Sequence, residues 1–153
     1  MPKNHAVSSL NETVCVVGLG YVGLPLACLL ATKFSVVGYD TNPEKIALLQ
    51  RGLDPTREVG DLRHCPATFS DDPTVIAQAT CIIVAVPTPV TVNNVPDFTY
   101  LEQASATVGK HLRRGAVVVY ESTVHPGCTE DICLPLLERA SGLKVATDFQ
   151  LGY

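Results

Sequence analysis

The stretch VCVVGLGYVGLPLA, residues 14–27, decides the fold of this chain. Its first four residues form a short apolar run that predicts a buried strand. Gly18, Gly20 and Gly23 follow with the spacing G-x-G-x-x-G, and an apolar, helix-forming segment continues to about Ala31. A glycine triad alone is weak evidence. This one lies between a strand and a helix, which is the context that a dinucleotide-binding turn requires.

Each glycine has its own expected task in such a turn. Gly18 permits the tight turn, Gly20 lets the backbone approach a pyrophosphate, and Gly23 lets the helix pack close to its strand. The N-terminus of the helix adds unpaired N–H groups and a partial positive charge, which favour the same anion. Pro25 would fall in the first turn of this helix, where its missing N–H should cost little.

Asp40 stands at the C-terminal end of a second predicted strand, residues 34–39. A carboxylate at that place can accept hydrogen bonds from the ribose hydroxyls of an adenosine, and it would repel a 2′-phosphate. The pattern therefore predicts NAD rather than NADP as the cofactor. An acid that only caps the next helix is the alternative for Asp40 alone. Lys45, early in that helix, either lies near the ribose or is a solvated helix charge.

Strand and helix signals alternate along the rest of the chain. Further strands are predicted at 67–70, 81–86, 116–120 and from 144–146. Helices are predicted at 43–52, 73–78, 100–112 and from 129, the last interrupted at Pro135, with a short helix near 58–63 inside a loop and a polar loop at about 90–96. This alternation is typical of parallel β-α units. We expect an α/β fold, a doubly wound parallel Rossmann sheet, as a single domain at 13–153 after a flexible lead-in at 1–12.

Two more loops leave the carboxyl edge of this sheet, where ligands bind in such folds. Pro87 and Pro89 stiffen the loop after the 81–86 strand, which suits a wall beside the nicotinamide half of a cofactor; the alternative is a simple strand terminator. In the loop after the 116–120 strand, Thr123 either holds a water or substrate hydroxyl beside that ring or only caps the loop. A nucleophilic pair of His125 and Cys128 is disfavoured, because no third orienting residue is evident.

Composition limits the class of protein. With 46% hydrophobic and 17% charged residues, the 153-residue chain is expected to fold around a core. A net charge of −4 without a basic run argues against a nucleic-acid partner. The absence of a signal peptide and of an apolar run of roughly 20 residues predicts no membrane association and a cytoplasmic location. The six cysteines lack a C-x-x-C pair, so we expect no metal site and free thiols, with Cys15, Cys28 and Cys81 as small apolar residues.

Four segments in order resemble the NAD-binding domain of the UDP-glucose/GDP-mannose dehydrogenase family. They are GLGYVGLPLA at 18–27, GYDTN at 38–42, VPTP at 86–89 and ESTVHPGCTE at 121–130. The last two, with VPD at 95–97, look most like the branch that acts on UDP-N-acetylhexosamines. The resemblance implies an NAD-dependent, two-step oxidation of the C6 alcohol of a UDP-sugar to a carboxylate, for surface polysaccharide precursors, by an enzyme that is a homo-oligomer at full length.

Carried over by position, the resemblance also implies site residues. Thr123 looks like the family threonine that helps to hold the active-site water, so it is the catalytic candidate. The nucleophilic cysteine of the family, with its lysine and asparagine, lies in later segments, so we expect this chain alone to bind cofactor and to be inactive. The implied cofactor contacts are Gly18, Leu19, Gly20, Tyr21, Val22, Gly23, Asp40, Lys45, Val86, Pro87, Thr88, Pro89, Val90, Ser122, Thr123 and Val124.

Two alternatives remain open at this point. The first is a stand-alone NAD-sensing or regulatory binding module. The second is a domain of the 3-hydroxyacid or 6-phosphogluconate type of dehydrogenase, which shares the glycine motif and the acid. That second class is expected to lack the Ser-Thr-Val-x-Pro-Gly loop found at 122–127, which disfavours it.

Overall fold

The core of the protein is a parallel sheet of six strands, seen in a computed structural model that describes residues 12–90 and 95–153. The strands are β1 (Thr13–Val17), β2 (Ser35–Tyr39), β3 (Thr68–Ser70), β4 (Cys81–Val84), β5 (Val117–Tyr120) and β6 (Gln150–Gly152). They lie in the order β3-β2-β1-β4-β5-β6, and every neighbouring pair is parallel. The predicted doubly wound sheet is confirmed. Its order reverses between β1 and β4, which places a ligand crevice beyond their carboxyl ends.

Helices cover both faces of this sheet. They are α1 (Gly23–Leu30), α2 (Pro43–Gln50), α3 (Thr99–His111) and α4 (Leu134–Ser141), with 3-10 turns at Leu62–His64 and Pro73–Gln78. Helix α2 begins as predicted, since the Asn42 side chain accepts from the Lys45 N–H at 3.0 Å and Pro43 takes the first helical position. Most of the lead-in predicted for 1–12, and residues 91–94 of the polar loop, lie outside the described residues.

The two faces bury separate apolar clusters. Leu101, Val108 and Leu137 belong to the cluster that α3 and α4 cover, and Leu24 and Ile46 belong to the one beneath α1 and α2. Strand β1 supplies buried side chains to both clusters, which is why its sequence is apolar at consecutive positions. The sheet is thereby fixed between its helices, and the loops at its carboxyl edge stand on a rigid base.

The loop before β3 differs from its prediction. In place of a helix at 58–63, the Asp54 carboxylate accepts N–H bonds from Thr56, Val59 and Gly60 at 2.7–3.1 Å. Burial alone would raise the pKa of Asp54, but these bonds together with that of the Thr56 hydroxyl lower it to about 2. Local side-chain bonds to the backbone compete with helix formation, and here they leave only the turn at Leu62–His64.

Two expectations near the C-terminal end also need adjustment. The interruption predicted at Pro135 occurs as a change in helix type, since a π-helical turn at Thr129–Cys133 precedes α4. The strand predicted from 144–146 is wrong. Residues 144–148 form a turn in which the Lys144 N–H donates to the Asp148 carboxylate and Ala146 has a φ of 63°, so the sixth strand begins only at Gln150.

Cys28 of α1 and Cys65 form a disulfide, with their Cα atoms 5.2 Å apart. The expectation that all six cysteines are free thiols is therefore wrong for this pair. Thirty-seven positions separate them in the chain, and only the packing of α1 against the segment before β3 brings them together. Cys15 is a small buried residue as expected, and burial raises the pKa of its thiol to about 12.

Reduction of this disulfide is expected to lower the free energy of unfolding. Closing a loop of this length removes entropy from the denatured chain, a stabilisation of about 3–4 kcal/mol in the loop-entropy view. Urea unfolding with and without a reductant should show the loss. A Cys28→Ser/Cys65→Ser variant should match the reduced wild type and ignore the reductant, and a Cys81→Ser control should keep the sensitivity. Equal stability of oxidised and reduced wild type would contradict the prediction.

Candidate functional site

A cavity of about 630 Å³ opens at the carboxyl ends of β1, β2, β4 and β5. Its volume is that of a typical small-molecule site, and its place is the crevice at which the strand order reverses. It is lined by residues 17–22, 39–42, 45, 85–88, 100, 103, 104, 107 and 121–123. A second concavity of about 570 Å³ lies beside β3, away from the glycine turn and the strand ends, with Arg51 and Phe69 in its wall.

The glycine turn follows β1 directly, and its three glycines differ in what the protein requires of them. Gly18 has a φ of 93°, and a Cβ there would come within 2.9 Å of the Ala85 carbonyl oxygen. A Cβ on Gly23 would lie 1.8 Å from the Gly18 carbonyl oxygen. Among the described residues, nothing lies within 4 Å of a Cβ built on Gly20. The fold therefore demands glycine at 18 and 23, while the space beside Gly20 suits a ligand that approaches the backbone.

The backbone amides of this turn divide in the same way. The Gly18 N–H donates to the Tyr39 carbonyl at 2.8 Å, and the Leu19 N–H donates to the Asp40 carboxylate at 2.9 Å. Within the described part of the chain, the amides of residues 20–22 have no protein acceptor. These free donors stand at the N-terminus of α1 and line the cavity. Such a set of donors suits the oxygens of a pyrophosphate.

Asp40 is almost buried, 9% exposed, and its carboxylate is shared between several partners. Its Oδ2 atom accepts from the Leu19 N–H and from the Lys45 ammonium at 2.6 Å, and its Oδ1 atom accepts from the Asn42 N–H at 3.0 Å. The side chain that caps α2 is that of Asn42, so Asp40 is not the helix cap. Lys45 lies beside Asp40 in the cavity wall, as one of its two interpretations required.

Two loops form the opposite wall and are bonded to each other. The Ser122 hydroxyl donates to the Val86 carbonyl at 2.7 Å, and the Thr88 hydroxyl donates to the Thr123 carbonyl at 2.7 Å. Pro87 lies between the two bonded positions of its loop and adds no N–H donor. Thr123 itself is exposed and lines the cavity. Its carbonyl is thus held by the neighbouring loop, while the residue remains exposed at the cavity.

Most of the implied contact residues line the cavity, but four do not. Gly23, Pro89, Val90 and Val124 lie outside its wall. Gly23 serves the packing of α1, and the Pro89 carbonyl accepts from the Asp97 N–H at 2.8 Å instead. The remaining twelve are Gly18, Leu19, Gly20, Tyr21, Val22, Asp40, Lys45, Val86, Pro87, Thr88, Ser122 and Thr123.

Sequence reasoning missed the contribution of α3. Tyr100, Gln103 and Thr107 share one face of this helix and line the cavity, and Glu121 joins them from the end of β5. The spacing i, i+3, i+7 marks these three helical residues as one face. Because this face carries both aromatic and polar side chains, the sequence shows no regular apolar pattern there that would have identified it as part of the site.

His125 and Cys128 do not form a nucleophilic pair. Cys128 is fully buried, and burial raises the pKa of its thiol. His125 is exposed, its ring packs edge-on against Phe98 at 5.7 Å, and its Nδ1 atom is paired with the Pro126 carbonyl at 3.0 Å. The Cys128 N–H donates to the His125 carbonyl at 3.2 Å, but no hydrogen bond among the described residues joins the two side chains, which agrees with the low weight that the sequence gave to such a pair.

Residues 12–90 and 95–153 contain no cluster of three or more His, Cys, Asp or Glu side chains arranged to hold a metal ion. In the same part of the chain, every helix is too short or too polar to cross a membrane.

Comparison with known proteins gives one consistent family. Residues 12–153 match the model of the NAD binding domain of the UDP-glucose/GDP-mannose dehydrogenase family. The UDP-N-acetyl-D-glucosamine 6-dehydrogenase of Pseudomonas aeruginosa is 46% identical over 143 residues, which are 92% of this chain and 34% of that protein. The UDP-N-acetyl-D-mannosamine dehydrogenase of Pyrococcus horikoshii is 36% identical over 150 residues, 92% of this chain and 35% of that protein. The chain thus spans about a third of the length of the curated relatives it matches.

Solved structures agree. A ternary complex of GDP-mannose dehydrogenase from Pseudomonas aeruginosa superposes with a TM-score of 0.82 at 28% identity, covering 90% of this chain and 34% of that one. The NDP-N-acetyl-D-galactosaminuronic acid dehydrogenase from Methanosarcina mazei also gives 0.82, at 32% identity, covering 92% of this chain and 33% of that one.

Alanine at Gly23 and alanine at Gly20 should affect different properties of the protein, stability in the first case and NAD affinity in the second. In Gly23→Ala the new methyl would collide with the Gly18 carbonyl, so we expect a loss of several kcal/mol in the free energy of unfolding. In Gly20→Ala the methyl meets no protein atom among the described residues, so stability should change by less than about 1 kcal/mol while NAD affinity falls. Thermal unfolding and NAD titration separate the two effects. A Gly20→Ala variant that binds NAD as tightly as wild type would refute the assignment of the pyrophosphate to this turn.

Proposed function

This chain belongs to the UDP-glucose/GDP-mannose dehydrogenase family as an NAD-binding domain, and on that premise we propose that it serves a nucleotide-sugar 6-dehydrogenase. The proposed reaction oxidises the C6 alcohol of a UDP-N-acetylhexosamine to a carboxylate, with one water and two NAD⁺ consumed and two NADH and three protons released. One observation carries this proposal: a glycine turn, a ribose acid and two bonded loops surround one cavity at the strand-order reversal. Residues 13–153 are proposed as the NAD-binding unit.

The adenosine half of the cofactor is assigned to the β2 side of the cavity. Asp40 ends β2 with its carboxylate at the wall, where a ribose hydroxyl can donate to it, and Lys45 can offer its ammonium to the same hydroxyls. A 2′-phosphate at this place would meet the Asp40 carboxylate at short range. NAD is therefore favoured over NADP, and the free amides of residues 20–22 receive the pyrophosphate.

The nicotinamide half is assigned to the loops after β4 and β5. Bound there, NAD supplies the hydride acceptor. Val86, Pro87 and Thr88 form one side of this end of the cavity, and Ser122 and Thr123 form the other. The bonds between the two loops fix their separation and so limit how the ring can tilt. Thr123 exposes its hydroxyl here, and we assign it to a water or a substrate hydroxyl beside the ring.

The described residues do not provide a nucleophile for the second oxidation. None of the four free cysteines lines the cavity, and burial raises the pKa of each of their thiols. Such a group would come from another part of the whole enzyme. The proposed substrate class is supported by the relatives that the chain matches, which include UDP-N-acetyl-D-glucosamine and UDP-N-acetyl-D-mannosamine dehydrogenases.

Location and assembly are also part of the proposal. An enzyme that uses NAD and a UDP-sugar works where both are made, which favours the cytoplasm, and a role in polysaccharide precursor synthesis follows from the product. We further propose a homo-oligomer for the whole enzyme. The net charge of −4 favours small-molecule rather than nucleic-acid partners.

Removal of the Asp40 carboxylate should weaken NAD binding more than NADP binding. We expect Asp40→Ala to reduce NAD affinity by about 1–3 kcal/mol, because a charge-assisted bond to the ribose and the anchor of the Leu19 amide are both lost. Asp40→Asn keeps an acceptor for that amide and serves as the matched control. Isothermal titration with both cofactors measures the difference. Wild-type protein that prefers NADP would refute the role of Asp40.

The 153-residue chain, assayed alone, is expected to bind NAD and to produce no NADH from any UDP-N-acetylhexosamine. The reason is that none of its four free cysteines lines the cavity, so the site among the described residues lacks a thiol that could attack an aldehyde. Absorbance at the NADH band measures turnover, with binding of NAD confirmed in the same sample. Sustained NADH formation would show that the described residues contain the full catalytic set.

A further inference from the structure

We propose that Glu121 makes this site prefer oxidised NAD⁺ over NADH and thereby assists release of the reduced cofactor. The inference rests on the proposed function of the cavity and deepens it, because it assigns a specificity role to a residue that the glycine motif and the ribose acid leave unexplained. It depends on where Glu121 lies, on which charges surround it, and on the one charge that differs between the two forms of the cofactor.

Glu121 lies at the nicotinamide end of the cavity. It is the first residue after β5, and its N–H donates to the Val84 carbonyl at 2.9 Å, so its backbone is held at the end of β4. The residue lines the cavity together with Ser122 and Thr123. Asp40 at the end of β2 marks the adenosine end, and β1 lies between β2 and β4. Strands β4 and β5 therefore serve the opposite half of a dinucleotide.

Glu121 is also the unneutralised charge of this wall. Among the described residues, the side chains that line the cavity and carry a charge at neutral pH are those of Asp40, Lys45 and Glu121. The first two form an ion pair at 2.6 Å, so their charges cancel locally. Across residues 12–90 and 95–153 the Glu121 carboxylate has no ion pair.

The two oxidation states of the cofactor differ in charge only at the nicotinamide ring. The oxidised ring carries one positive charge and the reduced ring carries none, while the adenosine and the pyrophosphate are the same in both. A carboxylate in this half of the cavity attracts the oxidised ring and leaves the reduced ring almost unaffected. At a separation of several ångströms in a partly solvated cleft, Coulomb attraction corresponds to roughly a 3- to 10-fold difference in affinity.

This preference has a use in the proposed reaction. Each sugar is oxidised twice, so one NADH must leave and a second NAD⁺ must enter before the product is complete. A carboxylate that loses its attraction when the ring becomes neutral weakens the hold on the cofactor after each hydride transfer. The remaining contacts, to the ribose and the pyrophosphate, are equal in both states and cannot provide this difference.

The test compares dissociation constants for NAD⁺ and NADH, measured by isothermal titration on the full chain. In Glu121→Gln the ratio of the NADH constant to the NAD⁺ constant should fall about 3- to 10-fold, through weaker NAD⁺ binding. Glu121→Asp keeps the charge and should keep most of the ratio. Glu130→Gln removes one exposed carboxylate that does not line the cavity, and it should leave the ratio unchanged. High salt should lower the ratio in wild type and have little effect in Glu121→Gln.

A ratio that stays the same in Glu121→Gln, or that falls equally in Glu130→Gln, would overturn the inference while leaving the proposed function intact. Equal loss of affinity for both cofactor forms would also overturn it, because it would indicate a packing role. Failure of the wild-type chain to bind either form would instead overturn the proposed function, and the inference with it.

Discussion

The hydrogen bond from the Leu19 N–H to the Asp40 carboxylate connects the two halves of the adenosine side of the site. Leu19 lies inside the glycine turn after β1, and Asp40 ends β2, so a single buried bond of 2.9 Å fixes one strand end relative to the other. The adjacent bond from the Gly18 N–H to the Tyr39 carbonyl reinforces the same junction. The position that we propose selects the ribose is thus also the position that shapes the glycine turn. Because one carboxylate does both, cofactor choice and turn geometry cannot vary independently.

Few side chains can be accommodated at this junction, because α1 packs very close to it. Gly23 begins α1 against the Gly18 carbonyl, and any side chain there would displace the helix from the sheet. Towards the C-terminal end of α1, Cys28 forms the disulfide with Cys65, which lies in the segment before β3. The helix that presents its N-terminus to the cofactor is therefore held by backbone contact at one end and by a covalent bond along its length. Its free amides can then meet a pyrophosphate without the helix having to be ordered first.

The features that the sequence predicted correctly are those set by local chemistry. The turn after β1, the acid that ends β2 and the start of α2 at Pro43 each depend on residues within a few positions of one another. The disulfide depends instead on the packing of α1 against the loop before β3, which brings together two cysteines 37 positions apart in the chain. The face of α3 that carries Tyr100 and Gln103 could be placed only once the helix was docked beside the cavity. The Asp54 loop shows the reverse case, in which one side chain overrides a helix signal by bonding three nearby amides.

The charged side chains of the cavity differ between its adenosine side and its nicotinamide side. On the proposed adenosine side, the Asp40 carboxylate accepts from the Leu19 N–H and pairs with the Lys45 ammonium at 2.6 Å. On the nicotinamide side, backbone carbonyls and hydroxyls bond the loops together, so no ion pair is needed for structure and Glu121 is left without one among the described residues. A charge that the fold does not use can respond to a ligand whose own charge changes during the reaction. The adenosine side of the site thus keeps the same charge balance throughout the proposed reaction, whereas the attraction at Glu121 changes with the charge of the nicotinamide ring. The glycine turn after β1 lies between these two parts.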